Sequence, residues 1–489
     1  MSSVKEPVMH RFGNGLTVLI KEDKSHPVVS LQYWVGTGSM NEGHLQGSGI
    51  SHLLEHLVFK GTENYSGQDL ARKVQERGGH WNAYTSVNRT VFYIDGPAES
   101  WQVFLNLLTE LVFSPTFPEG ELEREKEVVR REMAMYADEP DSVAYQLLMQ
   151  TLYLKHPRRW PVLGQPAVFD TLTREDVLEY HASRYVPNNV VLSIAGDVDA
   201  REVLSHLELL VEDLKARPLN REPLPHEPHQ FGSRTVRKEF AVPYSKLSLA
   251  WRLPCSAHPD TPALSALASI LGGGRSARFY EKFHDRLGLV YSIEVHSNQS
   301  ESDEGAFTIT MDVDRAQRDK VRDLVLQELR DLEREDFTED LKRVCKQTRV
   351  SRLSRKSSAS GMASEMGADW FGARNLNLSS EWQEAIERVT SEDLHRVCAG
   401  WLSSPNVTEV SLDPLGSNAE EVPSGSEKTD TVLSELVLSN GLKVVVREDH
   451  RLPLAHVCLV FKAGCPAENE QNAGVTDLMS ECLLKGTST

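Results

Sequence analysis

The sequence predicts a globular α+β protein of several domains, and three observations lead to that prediction. Short β-rich runs alternate with long helical patterns along the 489 residues. The chain is too long for a single typical core, so two to four domains of roughly 100 to 200 residues each are expected. Hydrophobic residues make up 40% and charged residues 25%, which is typical of a globular protein rather than a disordered one.

The elements of the first 200 residues follow one another in a clear order. Four β-rich runs predict strands: LTVLIKED, VVSLQYWVGTG, RTVFYIDG and NVVLSIAGDVD. Two long patterns between the third and fourth runs predict helices: ESWQVFLNLLTELVF and ELEREKEVVRREMAMYA. Strands and helices therefore share this part of the chain.

Changes in composition predict the domain boundaries. A first domain is expected over residues 1–215, and the Pro- and His-rich stretch 216–230 is predicted to be an interdomain linker. A second domain of strands and helices is expected over 231–412. The stretch 413–430 is rich in Gly, Ser, Pro and acidic residues, which predicts a flexible connector, and the start of a third domain is expected over 431–489.

Charge and hydropathy exclude several functional classes. The formal charge of −18 argues against a nucleic-acid partner, because an acidic surface is repelled by a duplex. No apolar run approaches the roughly 18 residues that a membrane-spanning helix needs, and the N-terminus has no hydrophobic signal core. We therefore expect a cytoplasmic protein without a membrane partner. The six cysteines include no CxxC pair, which favours reduced thiols.

A candidate metal site lies in GISHLLEHLVFKGT, residues 49–62. His52 and His56 are four residues apart, so on a helix they lie on one side and can converge on one ion. Glu55 lies on the same side and could take a proton from a zinc-bound water. The pattern H-x-x-E-H is the inverzincin signature. The alternative is an ordinary amphipathic helix that carries histidine.

An altered internal repeat bears on that choice. NGLTVLIKEDKSHPVV begins at Asn14 and is matched by NGLKVVVREDHRLPLA, which begins 426 positions later at Asn440. GSGISHLLEHLVFKGT is matched by NAGVTDLMSECLLKGT. In the second copy, Asp477 stands in place of His52, Ser480 in place of Glu55 and Glu481 in place of His56. We therefore expect a copied scaffold without metal ligands, and a chain that is the front part of a longer two-half design.

A third ligand is needed for a catalytic zinc site, which keeps one position open for water. The predicted helix from residue 121 offers five glutamates: Glu121, Glu123, Glu125, Glu127 and Glu132. Most of them are expected to form a solvated face. Glu125 and Glu132 are seven residues apart and share a face, so one could bind the metal and the other could orient a histidine.

Several motifs together resemble the pitrilysin and insulinase family of zinc peptidases. They are GxGxxHLLEHLVFKGT, GGHWNAYTSVNRTVFY, EREKEVVRREMAMYADEPD, HPRRWPVLGQP and YVPNNVVLSIAGDVD. The resemblance implies tandem α/β-roll domains, each a mixed or antiparallel sheet flanked by helices, paired into a bowl-like half. The first domain would be catalytic and the second, 231–412, would not.

The resemblance also implies roles for individual residues. One Zn2+ per chain would be held by His52, His56 and Glu132, because the family's third ligand lies a little over seventy residues beyond the motif. Glu125 would be the family's additional acidic residue beside the ligands. Asn82 and Ala83 would lie on an edge strand to which an extended peptide adds itself. Without the resemblance, Asn82 would be interpreted as a turn residue.

The implied activity is that of a zinc endopeptidase that hydrolyses extended or unfolded peptides, with water activated by Glu55 as the nucleophile. The cleavage would occur in a chamber closed by a missing C-terminal half or by a second subunit. In two-half family members that second half supplies an Arg and a Tyr that hold the substrate; here His284 stands in place of the Arg, and Tyr291 is present. The alternatives are a non-catalytic scaffold of the same fold and a dedicated processing peptidase for one precursor.

Overall fold

The computed structural model describes residues 6–118, 120–219, 223–299, 304–402, 405–416 and 433–447, and the single positions 460, 475, 476 and 479. The chain divides into two compact units, Met1–Glu420 and Glu421–Thr489. The first unit contains a six-stranded and a five-stranded sheet, and the second contains a two-stranded one. The predicted α+β fold class is confirmed. Within the described ranges, no helix is both long and apolar enough to cross a membrane.

The first sheet is mixed and has six strands: β1 (Val8–Arg11), β2 (Thr17–Glu22), β3 (Val28–Val35), β4 (His80–Thr85), β5 (Thr90–Pro97) and β6 (Val190–Gly196). Their order across the sheet is β1-β2-β6-β3-β5-β4. Only β2 and β6 run parallel, and the other neighbours are antiparallel. Strand β4 is therefore an edge strand, and no described strand pairs with its outer side.

Eight α-helices accompany this sheet: α1 (Ile50–Val58), α2 (Gly67–Gln75), α3 (Trp101–Phe113), α4 (Glu121–Asp138), α5 (Pro140–Leu152), α6 (Pro166–Phe169), α7 (Arg174–Arg184) and α8 (Ala200–Val211). Apolar side chains of α1, α3, α7 and α8 form one core with the sheet. Burial of this apolar surface fixes α1 on the sheet, next to α4 and β4.

The second sheet has five strands: β7 (Arg234–Phe240), β8 (Ser245–Leu253), β9 (Val290–Asn298), β10 (Gly305–Val313) and β11 (Thr408–Pro414). Their order is β7-β11-β8-β10-β9. The accompanying α-helices are α9 (Thr261–Gly272), α10 (Arg318–Asp331), α11 (Thr338–Arg355), α12 (Ala359–Ala373), α13 (Leu378–Glu387) and α14 (Ser391–Val397). Two short π-helical segments, Tyr280–Arg286 and Cys398–Leu402, complete this part.

Each sheet is also covered by a helix from the other sheet's part of the chain. Helix α5 packs against β8 and β11, and helix α12 packs against β3 and β6. Gly367 of α12 permits this close approach, because a Cβ there would lie 2.3 Å from the indole of Trp34. Strand β6 is consequently buried along its whole length.

The second compact unit contains a hairpin of β12 (Leu433–Val437) and β13 (Lys443–Arg447). Four of its five residue pairs, beginning with Val437 and Lys443, lie 426 positions after the four pairs of β1 with β2. The turn glycine has a positive φ in both hairpins, 90° at Gly15 and 86° at Gly441. The internal repeat is therefore a repeat of local structure as well as of sequence.

The predicted linker 216–230 contains no regular element in its described part, but it is attached to the fold. The Glu227 carboxylate is buried and accepts hydrogen bonds from the backbone N–H groups of Leu154, Lys155 and His156, at 2.7, 2.8 and 2.9 Å. This segment is thus tied to the chain just beyond α5.

The predicted connector 413–430 begins inside a strand, since β11 extends to Pro414. Residues 417–432 lie outside the described residues, so the rest of that prediction is untested, and the domain boundaries stay predictions. The replaced motif positions of the second copy also lie outside the described residues: Asp477, Ser480 and Glu481.

Candidate metal centre

Helix α1 carries the motif and begins after Gly49, whose φ of 73° places it in the left-handed region. A Cβ at this position would lie 2.1 Å from the Leu163 carbonyl oxygen, so only glycine fits. One face of the helix is buried in the first core through five apolar residues: Ile50, Leu53, Leu54, Leu57 and Val58. The remaining face carries His52, Glu55 and His56, all half-buried.

Helix α4 brings a carboxylate to the two imidazoles. Glu132 Oε2 lies 3.8 Å from His52 Nε2 and 3.9 Å from His56 Nε2. One ligand atom from each of the three residues lies within 4.8 Å of the others, so among the described residues this group could hold a metal ion. Tetrahedral zinc with bonds near 2.1 Å separates its ligand atoms by about 3.4 Å. The three side chains therefore need to move only slightly to close on one ion.

The protonation state of His52 suits a metal ligand. Burial, and then the neighbouring His56, lower the pKa of His52 to about 3. Its imidazole is therefore neutral at pH 7, which is the form that binds zinc. Among the described residues, its Nδ1 is buried without a hydrogen-bond partner.

Glu55 lies beside this group and is held by β4. Its Oε2 accepts a hydrogen bond of 2.5 Å from the Thr85 hydroxyl. Burial raises the pKa of Glu55, while the Thr85 hydrogen bond lowers it in part. A carboxylate with a raised pKa is better suited to accept and return a proton near neutral pH than an exposed one.

Glu125 links His56 to a cation that the sequence analysis did not single out. Glu125 Oε2 lies 3.3 Å from His56 Nδ1, and Glu125 Oε1 lies 2.7 Å from Lys60 Nζ. The carboxylate is 7% exposed. With Nδ1 bonded to Glu125, the Nε2 of His56 is the atom that faces Glu132.

Asn82 and Ala83 lie on the edge strand β4 rather than in a turn. Ser86 N–H donates to the Arg89 oxygen, so Ser86 and Arg89 form a hydrogen-bonded pair at the end of the β4–β5 hairpin. Every second pair along two antiparallel strands is hydrogen-bonded. The backbone of Asn82 therefore bonds to β5, whereas the backbone N–H and C=O of Ala83 face outward. The Ala83 N–H accordingly donates to the Asn82 side-chain oxygen, at 2.9 Å. On the outer side of β4, Asn82 therefore presents its side-chain amide, and Ala83 presents its backbone N–H and C=O.

Three residues around the centre were missed from the sequence: Lys60, Thr85 and Glu42. Lys60 follows His56 by four residues but lies beyond the end of α1 at Val58, so helical periodicity alone does not place it beside Glu125. Thr85 lies in the quoted NAYT segment, but no local pattern links it to Glu55. Glu42 is 2% exposed and bonds to the start of α1, which only the folded chain reveals.

The structure also shows the surroundings of His284 and Tyr291, the positions that the resemblance compares with an Arg and a Tyr. The His284 ring stacks on that of Tyr280 with centroids 4.3 Å apart, and its Nδ1 lies 2.7 Å from Asp285. The Tyr291 side chain is exposed and its ring contacts that of Tyr244. Tyr291 and His284 contact neighbours from the second sheet's part of the chain.

Comparison with known families gives two adjacent matches. Residues 17–165 match the model described as Insulinase (Peptidase family M16), and residues 171–347 match the model described as Peptidase M16 inactive domain. The first match contains all seven residues predicted for the site. The second begins within the first sheet's part of the chain, before α7 and β6.

Individual proteins are similar over most of the chain. An uncharacterized zinc protease of Rickettsia felis is 27% identical over 391 residues, which are 78% of this chain and 91% of that protein. The uncharacterized zinc protease YmxG of Bacillus subtilis is 29% identical over 328 residues, 66% of this chain and 78% of that protein. A crystal structure of a protease from Helicobacter pylori has a TM-score of 0.78 at 26% identity, covering 84% of this chain and 100% of that chain.

A second solved structure supports the fold alone. The peptidase M16 inactive domain from Pseudomonas fluorescens has a TM-score of 0.77 at 20% identity, and it covers 84% of this chain and 98% of that chain.

Proposed function

Because the chain belongs to the pitrilysin and insulinase family of zinc peptidases, peptidase family M16, we propose that it is a zinc-dependent endopeptidase that hydrolyses extended or unfolded peptides. The observation that carries this proposal is the convergence of His52 and His56 with Glu132, beside Glu55. The first two residues are one helical turn apart, but Glu132 comes from another helix.

The donor set fits zinc. Two neutral imidazole nitrogens and one carboxylate oxygen are the ligands of many catalytic zinc sites, which keep a fourth position open. His52, His56 and Glu132 would hold the ion. Once bound, zinc supplies a Lewis acid that makes water a nucleophile at neutral pH.

The remaining residues of the site act on protons and on orientation. Glu55 accepts a proton from the attacking water and returns it to the leaving amine. Thr85 fixes the carboxylate of Glu55 for that task. Glu125 orients the ring of His56, as hydrogen-bonded carboxylates commonly do for metal-binding histidines.

The substrate would bind as an added strand. The outward backbone of Ala83 lies on β4, two residues before Thr85, whose hydroxyl bonds to Glu55. An extended peptide that pairs with this edge is recognised mainly through its backbone, so its side-chain sequence can vary. Asn82 would have to release the Ala83 N–H, which it now accepts from.

We further propose that cleavage takes place in a closed chamber. A second half like that of two-half family members, or a second subunit, would close over β4 and the metal centre and admit only unfolded chains. The Arg and Tyr clamp of two-half members would come from that part, because His284 and Tyr291 contact their own neighbours.

A scaffold without activity is the second candidate. It is favoured by the description of the second matched model as an inactive domain and by the lost ligands of the second sequence copy. The complete set of His52, His56, Glu132 and Glu55 favours the peptidase.

The test compares three proteins for zinc content and for cleavage of a panel of unrelated peptides, with and without a chelator. Wild type should contain one zinc and cleave many peptides until the chelator is added. Glu55→Gln should keep zinc and lose cleavage, and His52→Ala should lose both. Cleavage of a single precursor would indicate a dedicated processing peptidase. A Glu55→Gln variant that still cleaves would remove the assigned base.

A further inference from the structure

A buried carboxylate outside the metal centre bonds to the first turn of α1. Glu42 Oε2 accepts a hydrogen bond from Gly49 N–H at 3.3 Å, and Glu42 Oε1 accepts one from Ser51 N–H at 3.1 Å. Glu42 is 2% exposed. Since the first N–H groups of a helix have no partner within the helix, Glu42 supplies the acceptors that this end requires.

The same end of α1 is tied to α7. The Ser51 hydroxyl lies 2.8 Å from the Tyr180 hydroxyl, which lies 2.7 Å from the Thr37 hydroxyl. These three groups are buried. The backbone of Ser51 is therefore held by Glu42 while its side chain is held by Tyr180.

This double attachment bears directly on the metal centre. His52 follows Ser51 in the chain, and His56 lies one turn further along the same short helix. Their partner Glu132 belongs to a different helix, α4. A small rotation or shift of α1 therefore changes the distance of both imidazoles from Glu132, and misplacements of about 1 Å in such sites are costly.

We propose that Glu42 is a positioning residue that sets the position and rotation of α1, so that His52 and His56 meet Glu132 in metal-binding geometry. This inference rests on the proposed function only for the identity of the ligands. It assigns Glu42 no contact with the metal or with the substrate.

The chain offers a matched control. Glu227 is also a buried carboxylate that accepts backbone N–H groups, here those of Leu154, Lys155 and His156, and it holds the chain beyond α5 rather than α1. Replacing either glutamate by Gln keeps the size of the side chain but turns one acceptor into an N–H donor that faces other donors. Both variants therefore lose an acceptor for backbone N–H groups.

The experiment uses the full chain stripped of metal. Zinc alone is titrated against a chromophoric chelator, the visible absorption of the cobalt-loaded protein reports the coordination geometry, and chemical denaturation of the metal-free protein reports stability. Work at pH 8 keeps wild-type Glu42 ionised, because burial raises the pKa of Glu42 to about 7 and the hydrogen bonds from Ser51 and Gly49 limit that rise.

Glu42→Gln should weaken zinc binding by about 10- to 100-fold and alter the cobalt spectrum, as losses of orienting partners do. Glu227→Gln should lose stability but keep wild-type zinc affinity and spectrum. Tyr180→Phe, which removes only the second attachment, should fold even if Glu42→Gln does not, and should weaken zinc binding by about two- to fivefold.

Two results would overturn the inference while the proposed function stands. The first is wild-type zinc affinity and cobalt spectrum in a folded Glu42→Gln protein or, if that variant does not fold, in Tyr180→Phe. The second is a loss of zinc affinity in Glu227→Gln that equals the loss in Glu42→Gln. A wild-type protein that binds no zinc would overturn both the proposed function and this inference.

Discussion

Replacing Lys60 by methionine should weaken zinc binding although Lys60 touches none of the proposed ligands. Lys60 Nζ lies 2.7 Å from Glu125 Oε1, and the other oxygen of Glu125 lies 3.3 Å from His56 Nδ1. Methionine keeps most of the length and apolar stem of lysine but removes the charge. Glu125 then remains buried without its cation, and its hydrogen bond to His56 is no longer held in one orientation.

The burial of the two partners sets the expected magnitude. Breaking a buried ion pair by removing one partner costs about 3 to 5 kcal/mol. Lys60 is 31% exposed and Glu125 7%, so water replaces part of the lost interaction. Only the part of this cost that differs between the metal-free and the zinc-bound protein changes zinc affinity. We expect about 1 to 2 kcal/mol there, which is roughly a 5- to 30-fold increase in Kd.

The assay is a double-mutant cycle read out by zinc titration of metal-free protein against a chromophoric chelator. Lys60→Met, Glu125→Gln and the double variant are compared with wild type. If Lys60 acts through Glu125, the double variant binds zinc no more weakly than Glu125→Gln alone. Lys246→Met is the control, because it removes the ion pairs of another partly buried lysine, with Asp312 at 3.0 Å and with Asp141 at 2.5 Å, away from the metal centre.

Either of two results would refute this reasoning. One is a folded Lys60→Met protein with wild-type zinc affinity. The other is a double variant whose loss equals the sum of the two single losses, since that would mean that Lys60 and Glu125 act independently.

Three further predictions concern the base, the edge strand and a buried histidine. Thr85→Val should raise the pKa of Glu55 further and so shift the acid limb of the kcat/KM profile to higher pH, whereas Thr90→Val, on the neighbouring strand, should leave that limb in place. An unchanged profile in Thr85→Val would contradict the assigned hydrogen bond. Ala83→Pro removes an outward N–H without touching the pairing with β5, so kcat/KM for extended peptides should fall about 3- to 10-fold with zinc binding intact, and equal cleavage would argue against strand addition. Burial lowers the pKa of His181 from 6.5 to about 4, so the contribution of its neutral ring to stability is complete above pH 6.5 and is lost as the pH falls through 4. The loss amounts to at most about 3 kcal/mol. In chemical denaturation between pH 7 and pH 4, His181→Gln should therefore lose less stability than wild type.

The proposed third ligand shows what local spacing cannot predict. Helical geometry alone places His52 and His56, four residues apart, on one side of a helix, and it does the same for Glu125 and Glu132, seven residues apart. Which glutamate of α4 meets the imidazoles depends on how α4 lies against α1, and the sequence points to Glu132 only through the family resemblance. The measured distances bring Glu132 to both Nε2 atoms and Glu125 to one Nδ1.

The edge strand and the linker show the same limit. Asn82 and Ala83 look equivalent in sequence, but the register with β5 turns the backbone of one inward and that of the other outward. The linker 216–230 has the composition of a solvated segment, yet Glu227 within it is buried and accepts hydrogen bonds from three backbone N–H groups in a distant part of the chain. No local pattern encodes either result.

Periodicity and spacing along single stretches of the chain are enough to predict the α+β class, the strand and helix runs of the first block, the repeat 426 positions apart and the one-sided motif on α1. The exchange of α5 and α12 between the sheets, the meeting of Glu132 with His52 and His56, and the burial of Glu42 and Glu125 appear only in the folded chain. Those features arise where elements far apart in sequence pack together, and the burial that fixes them is a property of the whole core.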